Sequence, residues 1–207
     1  MTWKAIIYDL GGVLVDWNPL HVYNDQYFES EEKRKFFFDK VCTSDWNERQ
    51  DEGYPIALAT EEKVNQFPEW EAPIRDFYGR WIEMLKGPIE DSVDLFRRLK
   101  EGTDLKFYAL TNWSHETFPL ALERFEFLQW FDGIVVSGTE KNRKPFPDFY
   151  QLLLDRYSLK AEEVVFIDDN IRNVKAAEAL GIESIQFTDA DTVEKKLSEL
   201  LHISLHG

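Results

Sequence analysis

A short apolar run near the start of the chain, Ala5 to Tyr8, ends in Asp9 and is followed at once by Gly11 and Gly12. Such a run predicts a buried strand that stops at glycine. A carboxylate on a glycine-permitted turn at the carboxyl end of a strand stands where open α/β sheets bind their ligands. Three later segments place polar residues in the same kind of position and predict one shared site. They are Leu110 to Asn112, Arg143 to Pro145 and Phe166 to Asn170.

Strands and helices are predicted to alternate after Pro88. Apolar runs predict strands at 105–110, 133–136, 164–167 and 184–187. Amphipathic patterns predict helices at 90–101, 114–125, 147–157, 170–180 and 192–201. Alternation of this kind is typical of an α/β fold, a doubly wound parallel sheet with helices on both faces. The tail from His202 to Gly207 is expected to fray.

The region between the first strand and Pro88 has a different pattern. It favours helices at 31–41, 55–67 and 72–86 and contains no confident strand. We therefore predict an α/β core domain made of residues 1–16 and 88–207. An all-helical domain, residues 17–87, is predicted to be inserted directly after the first strand.

Charge and cysteine content limit the partners and the location. The chain of 207 residues has a formal net charge of −15, which disfavours nucleic acid and anionic membranes as partners because both need clustered Lys and Arg. A single cysteine, Cys42, rules out an internal disulfide, and no secretion signal is recognised, so we expect a reducing cytoplasm. No run is long enough to span a bilayer. The oligomeric state is not predicted.

The aspartates at the predicted strand ends indicate a metal. Asp9, Asp168 and Asp169 would project from one edge of the sheet, where three close carboxylates repel one another. A hard divalent cation with oxygen ligands relieves that repulsion, and Mg²⁺ fits a site of few carboxylates. The competing interpretation is that Asp168 or Asp169 only caps the next helix.

Two further strand-end residues suit a phosphate. The Thr111 hydroxyl and the neighbouring backbone amides precede a helix and could bind phosphate oxygens, although Thr111, Asn112 or Ser114 could equally be a helix cap. Lys144 precedes Pro145, which favours an extended turn. A lysine fixed there could neutralise both a nucleophile and a phosphate.

The order Asp9 with its glycines, Thr111, Lys144 and then the Asp168–Asp169 pair resembles the four motifs of the haloacid dehalogenase superfamily, over nearly the whole chain. The local wording at 9–16 and 166–170 is similar to its branch of sugar-phosphate phosphatases and dehalogenase-like hydrolases. The resemblance implies the strand order 5-4-1-2-3, and it identifies the helical insert with the cap domain of that superfamily.

The resemblance also implies a role for each motif residue. Asp9 would attack phosphorus and form an aspartyl-phosphate. Asp9, the Gly11 carbonyl and Asp169 would hold Mg²⁺ directly. The remaining implied roles are water-mediated metal binding by Asp168, phosphate binding by Thr111 and the Asn112 amide, and charge neutralisation by Lys144.

Gly11 departs from the pattern, because phosphatases of this superfamily usually carry an acid/base aspartate at that position. Its absence removes an effect typically worth about 10²- to 10⁴-fold. Asp16, His115 or a residue of the insert could replace it, or the substrate could have a good leaving group. Otherwise the protein is a slow or inactive relative that binds a phosphometabolite.

A 2-haloacid dehalogenase, in which Asp9 would displace halide without a metal, is the alternative enzyme. It typically has an aromatic residue at position 11 and a neutral fourth motif, whereas this chain has Gly11 and the Asp168–Asp169 pair. We therefore favour hydrolysis of a small organic phosphate, sugar-phosphate-like, with Mg²⁺ as cofactor. A short receiver domain is disfavoured by the order of the acidic residues and by the insert.

Specificity is predicted to reside in the insert. Its polar segment 43–53 is read as a loop, and Trp46, Asn47 and Arg49 in it are candidate substrate contacts. Trp17, beside the active-site turn, is a further candidate, as are the motif residues Gly11 and Asn112. Ordinary packing or a solvated loop is the competing interpretation for the residues of the insert.

Overall fold

The computed structural model describes residues 3–202, and the tail expected to fray lies largely outside them. The strands are β1 (Ala5–Tyr8), β2 (Val15–Trp17), β3 (Leu85–Pro88), β4 (Lys106–Thr111), β5 (Gly133–Val136), β6 (Val164–Asp168) and β7 (Glu183–Gln186). The helices are α1 (Glu31–Phe36), α2 (Ser44–Asp51), α3 (Ile56–Gln66), α4 (Glu71–Gly79), α5 (Trp81–Met84), α6 (Glu90–Gly102), α7 (Phe118–Arg124), α8 (Ser137–Glu140), α9 (Pro147–Arg156), α10 (Ile171–Ala179) and α11 (Ala190–Leu201). In the described part, no helix is both long and apolar enough to cross a membrane.

Five parallel strands form the central sheet in the order β5-β4-β1-β6-β7. Ala5 in β1 pairs with Lys106 on one side and with Val164 on the other. Numbered within this sheet alone, the order is 5-4-1-2-3 read from β7, so the predicted topology and the doubly wound α/β class are confirmed. All four residues of β1 are buried, as expected for a central parallel strand covered by helices on both faces.

The region from Asn18 to Met84, here called the helical insert, contains α1 to α5. The predicted helices 31–41 and 55–67 are present, the first as α1 continued by a π-helical turn at Phe37–Val41. The segment 43–53, predicted as a loop, is instead helix α2. It begins after Thr43, whose side chain accepts a hydrogen bond from the Trp46 backbone N–H and so caps the helix.

The predicted helix 72–86 is interrupted and ends early. Arg80, with φ −116° and ψ 21°, separates α4 from α5, and the chain after Met84 is extended in β3. Strand β3 pairs antiparallel with β2, from Val15↔Pro88 to Trp17↔Leu85. The expectation of no strand in this region was therefore wrong, because each strand is too short to produce a pattern and its partner is about seventy residues away.

The paired strands β2 and β3 lie where the chain leaves the sheet and where it returns. One continuous hydrophobic cluster includes side chains of the sheet, such as Ile6 and Phe107, and side chains of the insert, such as Phe37 and Phe77. The insert is therefore packed onto the sheet. The division into domains at residues 16 and 88 stays a prediction.

The turn after β1 contains Gly11 and Gly12, and only the second position requires glycine. Gly12 has a φ of +77°, and a Cβ built there would lie 2.6 Å from Oδ2 of Asp169. A Cβ at Gly11 would meet nothing within 4 Å, and its φ is not positive. Gly12 thus lets the turn approach the Asp169 carboxylate closely, while Gly11 leaves open space.

Substitution of the two glycines by alanine tests this difference. We expect Gly12→Ala to lower the free energy of unfolding by about 1–2 kcal/mol, since a left-handed conformation is unfavourable for alanine. Gly11→Ala, the matched control, should be neutral or stabilising by up to about 1 kcal/mol. Urea unfolding of both variants and wild type measures the effect. Equal destabilisation by both substitutions would contradict this account of the turn.

Candidate active site

The structure brings the predicted motif residues together at the carboxyl edge of the sheet. Asp9 follows β1, Thr111 ends β4 and Asp168 ends β6. Lys144 lies in the loop between α8 and α9. Its Nζ is 2.8 Å from Oδ1 of Asp9 and 2.7 Å from Oδ2 of Asp168. A single cation therefore joins two carboxylates from neighbouring strands.

Lys144 is completely buried, and its backbone, like its ammonium group, is held by polar contacts. The Lys144 N–H donates to Oδ1 of Asn112, and Nδ2 of Asn112 donates to the Lys144 carbonyl, each at 2.9 Å. Burial alone would lower the pKa of Lys144, but the charges of Asp168 and Asp9 outweigh it and hold this pKa above its ordinary value. Lys144 therefore stays charged.

Asp168 is held by hydrogen bonds from the start of α10. Its carboxylate accepts from the Asn170 N–H at 2.8 Å and from Nδ2 of Asn173 at 3.1 Å. Asn170 also caps α10 through the Arg172 N–H, so the capping role proposed for the aspartates falls to the next residue. The Asp168 carboxylate is consequently fixed beneath the surface, with both oxygens engaged.

The pKa of Asp9 is raised to about 8, mainly because the carboxyl group is buried. Lys144 lowers this pKa, but the negative charges of Asp168 and Asp169 raise it further, so Lys144 offsets only part of the shift. The pKa of Asp169 is also raised, mainly by burial and by Asp168. Carboxylate oxygens of these three aspartates lie within 4.8 Å of one another. Three hard oxygen donors with one lysine leave unbalanced negative charge, and this donor set fits a divalent cation such as Mg²⁺.

A cavity of about 380 Å³ opens above Asp9, between the sheet edge and the helical insert. Of the predicted site residues, the cavity is lined by Asp9, Gly11, Trp17, Asn47, Asn112 and Asp169. Thr111, Lys144 and Asp168 are buried and do not line it. They lie within the sheet edge that supports the cavity floor.

Two candidates from the insert do not line this cavity. Trp46 is buried inside the insert, where its ring packs edge-on against Phe77. The Arg49 guanidinium lies over the Tyr54 ring, 4.2 Å from its centroid, on the outer surface. The positions of Trp46 and Arg49 follow from the helical conformation of α2. Successive residues of a helix point in different directions, so only some side chains of the segment 43–53 can face the cavity.

The acid/base candidates Asp16 and His115 also lie away from the cavity. Asp16 pairs with Nε2 of His21 at 2.9 Å, and His115 is exposed. Neither lines the cavity floor or its walls.

Several cavity residues were not predicted from the sequence. Trp81 packs against Trp17 with ring centroids 5.4 Å apart, and both indole N–H groups are buried without a hydrogen-bond partner. Asp51 and Glu48 of α2 also line the cavity. For Glu48 and Asp51 the sequence offered only a run of polar residues, and their spacing of three along a helix was the signal that could have placed them on one face.

Glu48 links the insert to the sheet domain across the cavity. Its carboxylate lies 2.8 Å from Nη1 of Arg143 and 2.5 Å from Nη2 of Arg172. Nζ of Lys141 adds a hydrogen bond of 2.9 Å to the Gly53 carbonyl at the end of α2. The wall formed by α2 is therefore fixed relative to the motif residues.

Known proteins are similar to this chain in sequence and in fold. It is 29% identical to the sesquiterpene phosphatase astK of Aspergillus oryzae over 97% of each chain. It is 28% identical to a phosphorylated carbohydrates phosphatase of Thermotoga maritima, over 88% of this chain and 83% of the relative. A magnesium complex of a HAD family enzyme from Bacteroides thetaiotaomicron superposes with a TM-score of 0.69 at 20% identity, covering 91% and 94% of the two chains.

The family match extends over most of the chain. The model of the haloacid dehalogenase-like hydrolase family matches residues 3–181, which include all four motifs and the helical insert. The relationship first suggested by the motifs is thus confirmed over the sheet and the cavity together. The chain is an enzyme of the haloacid dehalogenase-like hydrolase family.

Proposed function

We propose that the chain is a Mg²⁺-dependent phosphatase of a small organic phosphate, acting through an aspartyl-phosphate on Asp9. The observation that carries the proposal is the placement of Asp9. It lines the cavity while its carboxylate is held by Lys144 and lies beside Asp168 and Asp169. Both full-length relatives described above are phosphatases by name, which supports the same reaction here.

Asp9, Asp169 and the Gly11 carbonyl would bind Mg²⁺ directly in this proposal, and Asp168 would act through water. When bound, the ion would neutralise charge on the phosphoryl oxygens and on the aspartates. The raised pKa of Asp9 supports this assignment, because a cation beside Asp9 favours its ionised, nucleophilic form. The magnesium complex of the Bacteroides enzyme supports the same cofactor.

The remaining motif residues would orient the reaction. An oxygen of Asp9 attacks phosphorus in line with the leaving oxygen, and Lys144 keeps that carboxylate in position. The Asn112 side chain holds the Lys144 backbone, and Asn112 also lines the cavity. Its backbone N–H would therefore donate a hydrogen bond to a phosphate oxygen. Thr111, which is buried and does not line the cavity, would support the Asn112 amide from beneath rather than bind the phosphate itself.

The substrate is proposed to be a small organic phosphate, with a sugar phosphate as the first class to test. Residues 17–87 would act as the cap that closes over it and excludes water. Within the cavity, the rings of Trp17 and Trp81, inclined at 39° to each other, offer an apolar aromatic surface. Such a surface suits a carbon skeleton with an apolar face.

The net charge of −15 supports a small molecule rather than nucleic acid as the partner. The single cysteine, Cys42, supports a reducing compartment, and we propose the cytoplasm. A weakly active or inactive phosphometabolite-binding protein is the second candidate function, favoured by the absence of a side chain at Gly11. A dehalogenase is disfavoured because, in a metal-free mechanism, Lys144 alone would have to balance the charges of Asp9, Asp168 and Asp169.

Release of phosphate from p-nitrophenyl phosphate tests the proposal. We expect turnover by wild type with Mg²⁺, loss of turnover in EDTA, and loss in Asp9→Asn with the fold retained by circular dichroism. Asp16→Asn is the matched control, because Asp16 does not line the cavity, and it should retain wild-type turnover. Removal of the nucleophile should cost more than about 10²-fold.

Two results would contradict the phosphatase. Folded wild type without turnover in any buffer would favour the binding protein, which equilibrium binding of sugar phosphates would then measure. Release of chloride from 2-chloropropionate, lost in Asp9→Asn and independent of Mg²⁺, would establish the dehalogenase instead.

The role of Lys144 predicts a large effect on stability. We expect Lys144→Met to lower the free energy of unfolding by about 3–5 kcal/mol, because it leaves Asp9 and Asp168 buried without their shared cation. Lys106→Met is the matched control. It removes an exposed pair with Asp132 and should cost no more than about 1 kcal/mol. Urea unfolding without Mg²⁺ measures both, and similar small effects would contradict the assigned role.

A further inference from the structure

The proposed phosphatase lacks a proton donor at position 11, and this inference rests on that proposed function. Cleavage of an alkyl phosphate leaves an alkoxide, which needs a proton as the P–O bond breaks. Gly11 has no side chain, and Asp16 and His115 do not line the cavity. A donor must therefore be sought among the titratable side chains that do line it.

Four carboxylic side chains line the cavity in the described part of the chain: Asp9, Glu48, Asp51 and Asp169. Asp9 is the proposed nucleophile, and Asp169 is a proposed metal ligand. Glu48 forms ion pairs with Arg143 and Arg172, so its carboxylate is already engaged. Neither Asp51 nor Asp169 has an ion pair among the described residues, and with Asp169 assigned to the metal, Asp51 is the one of the four left without a role.

Asp51 is the last residue of α2 and is only 7% exposed. Its Oδ2 accepts a hydrogen bond from Nδ2 of Asn47 at 2.8 Å, and the Ser114 backbone N–H also donates to its carboxyl group. Its own backbone carbonyl accepts from the Ser137 hydroxyl. Asp51 therefore belongs to the insert by sequence but is fixed against the loop that follows Thr111.

The environment of Asp51 favours its protonated form. Burial, and then the charges of Glu48 and Asp9, raise the pKa of Asp51 well above its usual range, while the Ser114 N–H and Arg143 lower it only in part. Tyr78, which faces the same carboxyl group, has a raised pKa as well and is neutral. A buried carboxylic acid whose pKa is raised holds its proton more readily than a free one and is suited to donate it to a leaving group.

We propose that Asp51 replaces the missing acid/base residue by protonating the leaving group and then activating water. As Asp9 attacks phosphorus, the bond from phosphorus to the leaving oxygen breaks and that oxygen takes the Asp51 proton. The Asp51 carboxylate then takes a proton from water, whose oxygen attacks phosphorus. The bond between phosphorus and Asp9 breaks, phosphate leaves, and both side chains return to their starting forms.

This arrangement makes the helical insert part of the catalytic machinery. In the usual arrangement, nucleophile and acid share one turn of the sheet domain. Here the acid is on α2, and the contacts of Glu48 with Arg143 and Arg172 hold that helix against the sheet. The site is complete only while the insert is packed in place.

The dependence on the leaving group tests the proposal. A general acid matters for an alkyl phosphate such as glucose 6-phosphate but little for p-nitrophenyl phosphate, whose leaving group is already a weak base. We expect Asp51→Asn to lower kcat on the alkyl phosphate by about 10²- to 10⁴-fold. The first-turnover release of p-nitrophenolate should change little, with slow later turnovers as the phosphoenzyme accumulates.

Asp45→Asn is the matched control, because Asp45 lies on the same helix, is exposed and does not line the cavity. It should behave as wild type with both substrates. A retained first turnover in Asp51→Asn also shows that this variant is folded and that the Asp9 step is intact.

Rescue from position 11 provides a second measurement. A Cβ at Gly11 meets nothing within 4 Å, so the turn can accept a side chain there. We expect Gly11→Asp, introduced into the Asp51→Asn variant, to restore alkyl phosphate hydrolysis by at least about tenfold. Gly11→Asn in the same background cannot donate a carboxylic proton and should restore nothing.

Three results would overturn the role of Asp51. They are an unchanged rate on the alkyl phosphate, an equal loss in the first turnover of both substrates, and equal effects of Gly11→Asp and Gly11→Asn. Each would leave the phosphatase standing as long as wild type hydrolyses p-nitrophenyl phosphate with Mg²⁺. Absence of that activity in wild type would instead overturn the proposed function and Asp51 with it.

Discussion

The rest of the site depends on one buried lysine placed between two buried carboxylates. Removing Lys144, Asp9 and Asp168 from water is costly, and their mutual attraction offsets this only while all three are in contact. Asn112 fixes the lysine backbone, so the ends of β1, β4 and β6 are tied to one loop. Loss of Lys144 would leave both carboxylates without their shared cation in the interior, which makes this geometry strongly determined.

The same charges also bear on how so acidic a protein could accept the proposed phosphate substrate. Lys144 neutralises part of the charge of Asp9 and Asp168, but Asp169 adds a third carboxylate within 4.8 Å. The raised pKa of Asp9 reflects the remaining imbalance. A divalent cation would remove it and would present a positive centre to an anionic substrate despite the net charge of −15. The acidity of the whole chain is therefore compatible with the proposed phosphate substrate.

The helical insert contributes the other half of the cavity. Trp17 and Trp81 provide its aromatic wall, and α2 provides carboxylates that face the sheet edge. Apart from Trp17, these contributions come from residues distant in sequence from every motif. A substitution in the insert can thus alter chemistry as well as specificity, and the proposed proton transfer by Asp51 is the sharpest case.

The sequence by itself determined the sheet, its strand order through the family motifs, and the convergence of Asp9, Thr111, Lys144 and Asp168. Strand ends of a parallel sheet meet at one edge, so a local pattern was enough for these residues. The insert was less predictable: the segment 43–53 is a helix, β2 and β3 were not expected, and Trp46 and Arg49 do not line the cavity. Only the tertiary structure decided which side chains of α2 face Asp9, because that depends on how the helix packs against a sheet formed largely by later residues.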